Sequence, residues 1–426
     1  MEYLIKNTVI YNSDKTVKAD IYIKDGKIEK IGENLSYENA TVVDGSKKIA
    51  LPGLCDIHCH LRDPGYEYKE DIISGAKSAA AGGFTSIVAM PNTKPVADNK
   101  AVIDYINNKA KNACVNVYQA GAITKGLEGK ELAEIGEMKK SGIVAVTDDG
   151  KPVSDGSMMK KALLYAGMFD LPVIAHEEDM SLVDGGSMNE GYMSTYLGLR
   201  GISKAAEEVM VSRDIIIAKS LSEKVHITHI STKGSVELIR QAKKDGVKVT
   251  CDTCPHYFSL DETACDGFNT NAKMNPPLRT NEDVEAIIEG LRDGTIDMIA
   301  TDHAPHHEDE KNCEFDKALN GIIGFETAFA LAYDYLVTKN GFSLNKIVEL
   351  MSRNPSDFIK IEGGEIAEGK VADLILADVE NKWTYEAEKS VSKSKNTPYN
   401  KFTFGARVTD VFVKGNYIVE NCNVKG

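Results

Sequence analysis

The chain has 426 residues, 27% of them charged and 42% hydrophobic, the balance of a globular protein long enough for more than one domain. Its net charge of −14 excludes nucleic acid, whose phosphates need a basic face, and an anionic membrane surface as partners. No run of about 18 apolar residues marks a membrane span, Met1 to Lys6 lacks the pattern of a signal peptide, and eight scattered cysteines show no disulfide framework, so a cytoplasmic location is expected.

Residues 1–50 alternate short β-type runs with turns, among them Ala19-Asp20-Ile21-Tyr22-Ile23 and Ile28-Glu29-Lys30-Ile31, with Asp25-Gly26 as a hairpin signal between them. The C-terminal part has the same texture: Ala372 to Ala377 reads as a strand, and Val408–Val413 and Tyr417–Val419 flank a Lys414-Gly415-Asn416 turn. These ends predict one small β-sandwich-like domain, residues 1–50 plus 363–426, built from both termini. The alternative is two separate edge ribbons.

The middle, residues 51–362, repeats. Apolar strand candidates begin near Leu54, Phe84, Cys114, Ile143, Pro172, Lys224, Lys248 and Ile296. Helical segments over 70–81, 99–111, 157–167, 203–221, 233–244 and 281–291 separate most of them. Eight strands alternating with helices predict an α/β fold, a (β/α)8 TIM barrel. The rival, an open doubly wound sheet, lacks a G-x-G-x-x-G turn after its first strand.

In such a barrel the active site lies at the C-terminal ends of the strands. All nine histidines fall between 58 and 307, and metal-type residues close five strands. Strand one ends in His58 and His60, which share a face because side chains alternate. Strand four ends in Asp148-Asp149, strand five in His176, strand six in His229, and strand eight in Asp302. Four histidines with carboxylates suit zinc or a similar borderline divalent ion, and exceed one tetrahedral site, so two ions sharing a bridge are expected. The bridge must be anionic; Asp149 is chosen for it, with Asp148 structural. Two ions lower the pKa of a shared water toward roughly 7, which implies hydrolytic attack on a carbonyl or its reverse.

The other histidines read more plainly. His226 lies three residues before His229 and faces the other way, a structural position. His303, next to Asp302, also faces outward. His256 at the end of strand seven stays open between core and site, and His307 reads as a solvated loop residue. Cys251-x-x-Cys254 lies in a strand and reads as core, Glu308-Asp309-Glu310-Lys311 reads as a charged loop face, and no G-x-S-x-G elbow supports serine catalysis.

The run Asp56-x-His58-x-His60-x-Arg62-x-Pro64-Gly65 resembles the dihydroorotases of the amidohydrolase superfamily. So do Met90-Pro91-Asn92-Thr93, Thr147-Asp148-Asp149-Gly150, Asn275-Pro276-Pro277-Leu278-Arg279 and Thr301-Asp302-His303-Ala304-Pro305-His306. Gly321-Ile322-x-Gly324-x-Glu326-Thr327 points to the type I branch. The resemblance covers nearly the whole chain. It implies reversible cyclisation of N-carbamoyl-L-aspartate to dihydroorotate in pyrimidine biosynthesis, with two divalent ions, zinc by expectation. It implies that His58 and His60 bind one ion, His176 and His229 the other, that Asp149 bridges them, and that Asp302 is both ligand and catalytic acid/base. His60, Arg62, Asn92, Asn275, His306, Asn320 and Gly321 would contact substrate.

Two departures stand out: Asn320 where related members often have Phe, and Glu177 where they have Cys. Physically, Arg62 is a two-donor fork suited to a substrate carboxylate, two residues beyond His60. The runner-up is another cyclic-amide hydrolase, a dihydropyrimidinase, hydantoinase or allantoinase. Those typically bridge their metals with a carboxylated lysine, and no lysine occupies 143–149. A different class, a dead barrel serving as scaffold, would lack metal ligands that are present here. The expected partners are the small-molecule substrate and, at most, a second copy of the chain in a homodimer.

Overall fold

A computed structural model describes residues 1–425. Two sheets organise it. One has nine strands and draws on both ends of the chain: Glu2–Tyr11, Thr16–Lys24, Lys27–Gly32, Thr41–Asp44 and Lys48–Pro52 join Leu374–Asp378, Arg407–Val413, Asn416–Glu420 and Asn423–Val424. The two ends meet where Lys48–Pro52 pairs antiparallel with Leu374–Asp378. The sheet curls over its own apolar core, so that Tyr3 packs edge-on against Phe412 and Tyr417.

Both hairpins anticipated from the sequence form. Asp25 and Gly26 have φ of 49° and 81°, and Lys414 and Gly415 of 48° and 71°, the paired left-handed residues that match the twist of antiparallel strands. The two turns touch: a Cβ on Gly415 would lie 2.7 Å from Gly26 Cα, so this crossing has no room for a side chain.

The second sheet has eight parallel strands in sequential order: Leu54–Cys59, Phe84–Ala89, Asn116–Gly121, Ala145–Thr147, Val173–Ala175, Val225–Ile227, Val249–Thr253 and Met298–Ile299. The seam between first and last is closed by His60 N–H donating to His303 O at 2.8 Å. Buried Asp56 reinforces it by accepting from Thr301 N–H at 3.0 Å and Thr301 Oγ1 at 2.5 Å. Helices cover the outside. The first, Ile72–Ala81, starts two residues later than its pattern predicts because the Asp71 carboxylate caps it, accepting from the N–H groups of Ile73 and Ser74. It stops at Gly82, where a Cβ would meet Phe325 O at 2.2 Å. The longer connection after strand five carries a two-stranded ribbon, Met188–Asn189 with Gly201–Ile202. Among the described residues no helix is long and apolar enough to cross a membrane.

Candidate active site

The barrel strands deliver six titratable side chains to one point at their C-terminal ends. His58 Nε2 lies 3.2 Å from Asp149 Oδ1 and 3.5 Å from Asp302 Oδ1. His60 Nε2 lies 3.0 Å from Asp302 Oδ1 and 3.4 Å from Asp149 Oδ2. Across the mouth, His176 Nδ1 and His229 Nε2 each stand 3.6 Å from Asp149 Oδ1 and 2.9 Å from one another. Asp149 therefore turns one oxygen to His60 and the other to His58, His176 and His229. All six residues are buried.

Several neighbours orient these rings. Asn92 Oδ1 is 3.0 Å from His60 Nδ1, which keeps the proton there and frees Nε2. Glu178 Oε2 is 3.2 Å from His176 Nε2, which leaves Nδ1 for the cluster. His229 (φ 38°), Asp302 (φ 46°) and Arg62 (φ 62°) all adopt left-handed backbone, a strain that concentrates at working sites.

The donor set fits divalent ions. His58, Asp149 and His229 offer ligand atoms within 4.8 Å of one another, and so do His58, His60 and Asp302. His58 Nε2 is buried with no hydrogen-bond partner among the described residues. Without a metal the cluster holds together by keeping protons. Burial pushes the His58 and His176 imidazoles down, but Asp149, joined by Asp302 at His58 and Glu178 at His176, raises both to about 10. Burial likewise pushes the Asp149 and Asp302 carboxyls up, and the surrounding histidines hold both well below the usual range. Divalent cations would replace those protons.

Beside this cluster lies a cavity of about 200 Å³ lined by Arg62, Asn92, Asn275, His306, Asn320 and Gly321 among others. Arg62 Nε donates to Pro305 O at 3.2 Å, and its terminal nitrogen lies 3.4 Å from His306 Nε2. His306 Nε2 is 2.8 Å from Asn320 O. Burial, then the charges of Arg62, Lys69 and Lys311, press the His306 pKa down to about 2, so the ring is neutral. A Cβ at Gly321 (φ 127°) would sit 2.5 Å from Ala304 Cβ, so glycine lets this wall close.

The remaining residues fall as follows. Asp148 turns away and accepts from the N–H groups of Ile123 (2.8 Å) and Thr124 (2.9 Å), a structural position. His226 is bonded to Asp252 and Thr250 and packs on Phe358. His303 stacks on Phe325 and accepts from Gly324 N–H. His256 is buried outside the cavity wall against Tyr257, and burial lowers its pKa to about 4. Cys251 and Cys254 are buried free thiols.

The charged stretch 308–311 is more than a solvated face. It forms a short helix, Glu310 pairs with Lys69 at 2.8 Å, and buried Lys311 donates to Lys273 O, Leu319 O and Gly321 O. Asn396 carries no local signal in the sequence: its Nδ2 donates to Ala304 O and Gly321 O, both at 3.0 Å, and its Oδ1 accepts from His306 N–H at 3.1 Å.

Comparison with known proteins gives the family and the fold. Residues 47–235 match the Dihydro-orotase-like family model. The chain is 56% identical to a dihydroorotase of Acetivibrio thermocellus, over 94% of each chain. It is 54% identical to one of Caldicellulosiruptor saccharolyticus, over 98% of this chain and all of that one. The fold is shared with an L-hydantoinase of Arthrobacter aurescens (TM-score 0.91, 24% identity, 100% and 97% covered) and a dihydropyrimidinase of Brevibacillus agri (TM-score 0.88, 24% identity, 100% and 96% covered). Identity above one half over nearly the full length, together with the motifs at the strand ends, places this chain in the dihydroorotase family.

Proposed function

We infer that the chain is a dihydroorotase, a metal-dependent cyclic amidohydrolase that interconverts N-carbamoyl-L-aspartate and (S)-dihydroorotate with loss or gain of water. The observation that carries the choice over the hydantoinase-type alternative is the Arg62 fork beside neutral His306 at a small cavity next to the His/Asp cluster. A ring bearing a carboxylate satisfies that fork; an uncharged ring leaves it unpaired.

The assignments are these. His58 and His60 would hold one ion and His176 and His229 the other, with Asp149 shared between them and Asp302 as an additional ligand. Zinc, two ions per chain, suits the nitrogen-rich donor set. The chemistry such ions would supply is polarisation of the reacting carbonyl and a lowered pKa for the attacking water. Asp302 takes the proton from that water and delivers it to the ring nitrogen as the C–N bond breaks; in cyclisation it moves the proton the other way. Arg62, Asn275 and His306 hold the substrate, Asn92 bonds it while orienting His60, and Asn320 and Gly321 close the wall.

Residues 1–50 with 363–426 are proposed as one domain and 51–362 as the other, supported by the separate sheets. Eight free cysteines favour a cytoplasmic enzyme, and a homodimer is the proposed assembly. The deciding experiment is a side-by-side turnover assay with dihydroorotate, dihydrouracil, hydantoin and allantoin. Dihydroorotate should be turned over far better than the rest; preference for dihydrouracil or hydantoin would overturn the reading.

A further inference from the structure

Beneath the cluster, three buried side chains play no part in the chemistry above. Thr228 Oγ1 lies 2.8 Å from His58 Nδ1 and 3.0 Å from Asp252 Oδ2. The same Asp252 oxygen is 2.7 Å from His226 Nε2. The other oxygen of Asp252 accepts from the His229 backbone N–H at 2.8 Å. His226 in turn is anchored through Nδ1 to Thr250 Oγ1 at 2.8 Å. Asp252, Thr228 and His226 are all at most 1% exposed.

Counting protons gives this chain a direction. A carboxylate only accepts, so the single Thr228 hydroxyl proton goes to Asp252. The Thr228 oxygen can then only accept from His58, which puts the imidazole proton on Nδ1. In the neutral ring that a metal requires, the lone pair is then left on Nε2, the atom with no partner that faces Asp149. On its other side, the same carboxylate ties down His229 at a left-handed φ of 38° that a non-glycine residue adopts only at a cost. One buried carboxylate thus reaches a proposed ligand of each ion, one through a hydroxyl and one through the main chain.

We propose that Asp252 is a positioning residue for the metal centre: through Thr228 it sets the tautomer and ring orientation of His58, and through the backbone it holds the turn that presents His229. The inference rests on His58 and His229 being metal ligands. Hydrogen-bond partners of ligand imidazoles contribute roughly 10–100-fold to metal affinity in general.

The test uses full-length wild type, Thr228→Val, Thr228→Ser and Asp252→Asn. Each is stripped of metal and titrated with Zn2+ against a chromophoric chelator, with kcat and KM measured on the reloaded protein. Valine replaces the hydroxyl by a methyl of similar size, so Thr228→Val isolates the link to His58 even if Asp252→Asn does not fold. Expected are a loss of roughly 10–100-fold in affinity for one of the two ions in Thr228→Val, a fall in kcat with KM little changed, and recovery in Thr228→Ser. Asp252→Asn should weaken both ions. Two ions bound by Thr228→Val as tightly as by wild type would overturn this inference alone, as would a Ser variant no better than Val. A wild type that binds no Zn2+ would overturn the metal centre itself and this inference with it.

Discussion

Replacing Asn396 by alanine tests whether the C-terminal segment shapes the substrate site. The side chain is buried and makes three hydrogen bonds at 3.0–3.1 Å to the loops around the cavity. Gly321 O keeps a second donor, Lys311 Nζ at 3.1 Å. Ala304 O and His306 N–H have no other partner among the described residues, so the substitution orphans two buried groups. At about 1–2 kcal/mol each, the loss is about 2–4 kcal/mol of order in the segment that carries His306 and abuts Arg62. Expressed wholly in substrate binding, that would be roughly 30- to 1000-fold. Water entering the gap will restore part of it. The expected outcome for Asn396→Ala is therefore a KM for dihydroorotate raised about tenfold or more, with kcat within a few-fold and metal content unchanged. Asn396→Asp keeps the acceptor for His306 but sets a carboxylate against two carbonyl oxygens, and should be at least as damaging. Steady-state kinetics on folded, metal-loaded protein decide it. A KM within twofold of wild type would refute the reasoning.

Other outcomes follow from the same geometry. Asp302→Asn should retain metal and substrate binding while kcat falls by about 10²–10⁴, the usual share of general acid–base catalysis, measured in both directions alongside metal content. Arg62→Lys keeps the charge but loses the fork, so KM should rise markedly while dihydrouracil stays a poor substrate. Asp149→Ala should lose at least one of two bound ions by elemental analysis, and most activity; full occupancy with normal turnover would remove it from the bridge. His306, held neutral down to about pH 2, contributes stability that is full above its unfolded pKa near 6.5 and is lost as pH falls below it. Wild type should accordingly lose stability relative to His306→Asn below about pH 6.5, by up to about 1.4 kcal/mol per pH unit in denaturant titrations.

What could be read ahead of the structure was whatever repeats or lies close in sequence. Strand and helix order came from periodic apolar runs, and His58 and His60 came from two-residue spacing within one strand. Boundaries drifted where capping overrode pattern, as at Asp71, and where a strand began a little after its apolar run, at Asn116 and Met298. The support of the site was hidden for a different reason. Asn396 meets His306 across 90 residues and Thr228 meets His58 across 170, and neither partner carries a local signature. The run 308–311 misled because charge suggests solvent, while Lys311 turns inward to cap three carbonyls.

The seam of the barrel bears on how the protein is made. His58 and His60 are translated some 240 residues before Asp302 and His303, so an emerging chain carries most of the cluster well before its last member and the closing strand exist. The nine-stranded sheet is later still, since Lys48–Pro52 must wait for Leu374–Asp378. Such distant pairings make for slow assembly. Until the last strand docks, the first offers an unpaired edge and exposed imidazoles to whatever the surroundings supply. Ribosome-bound chains halted before residue 300 should therefore remain protease-sensitive over their first strand whether or not zinc is added, and become resistant only when the seam can close.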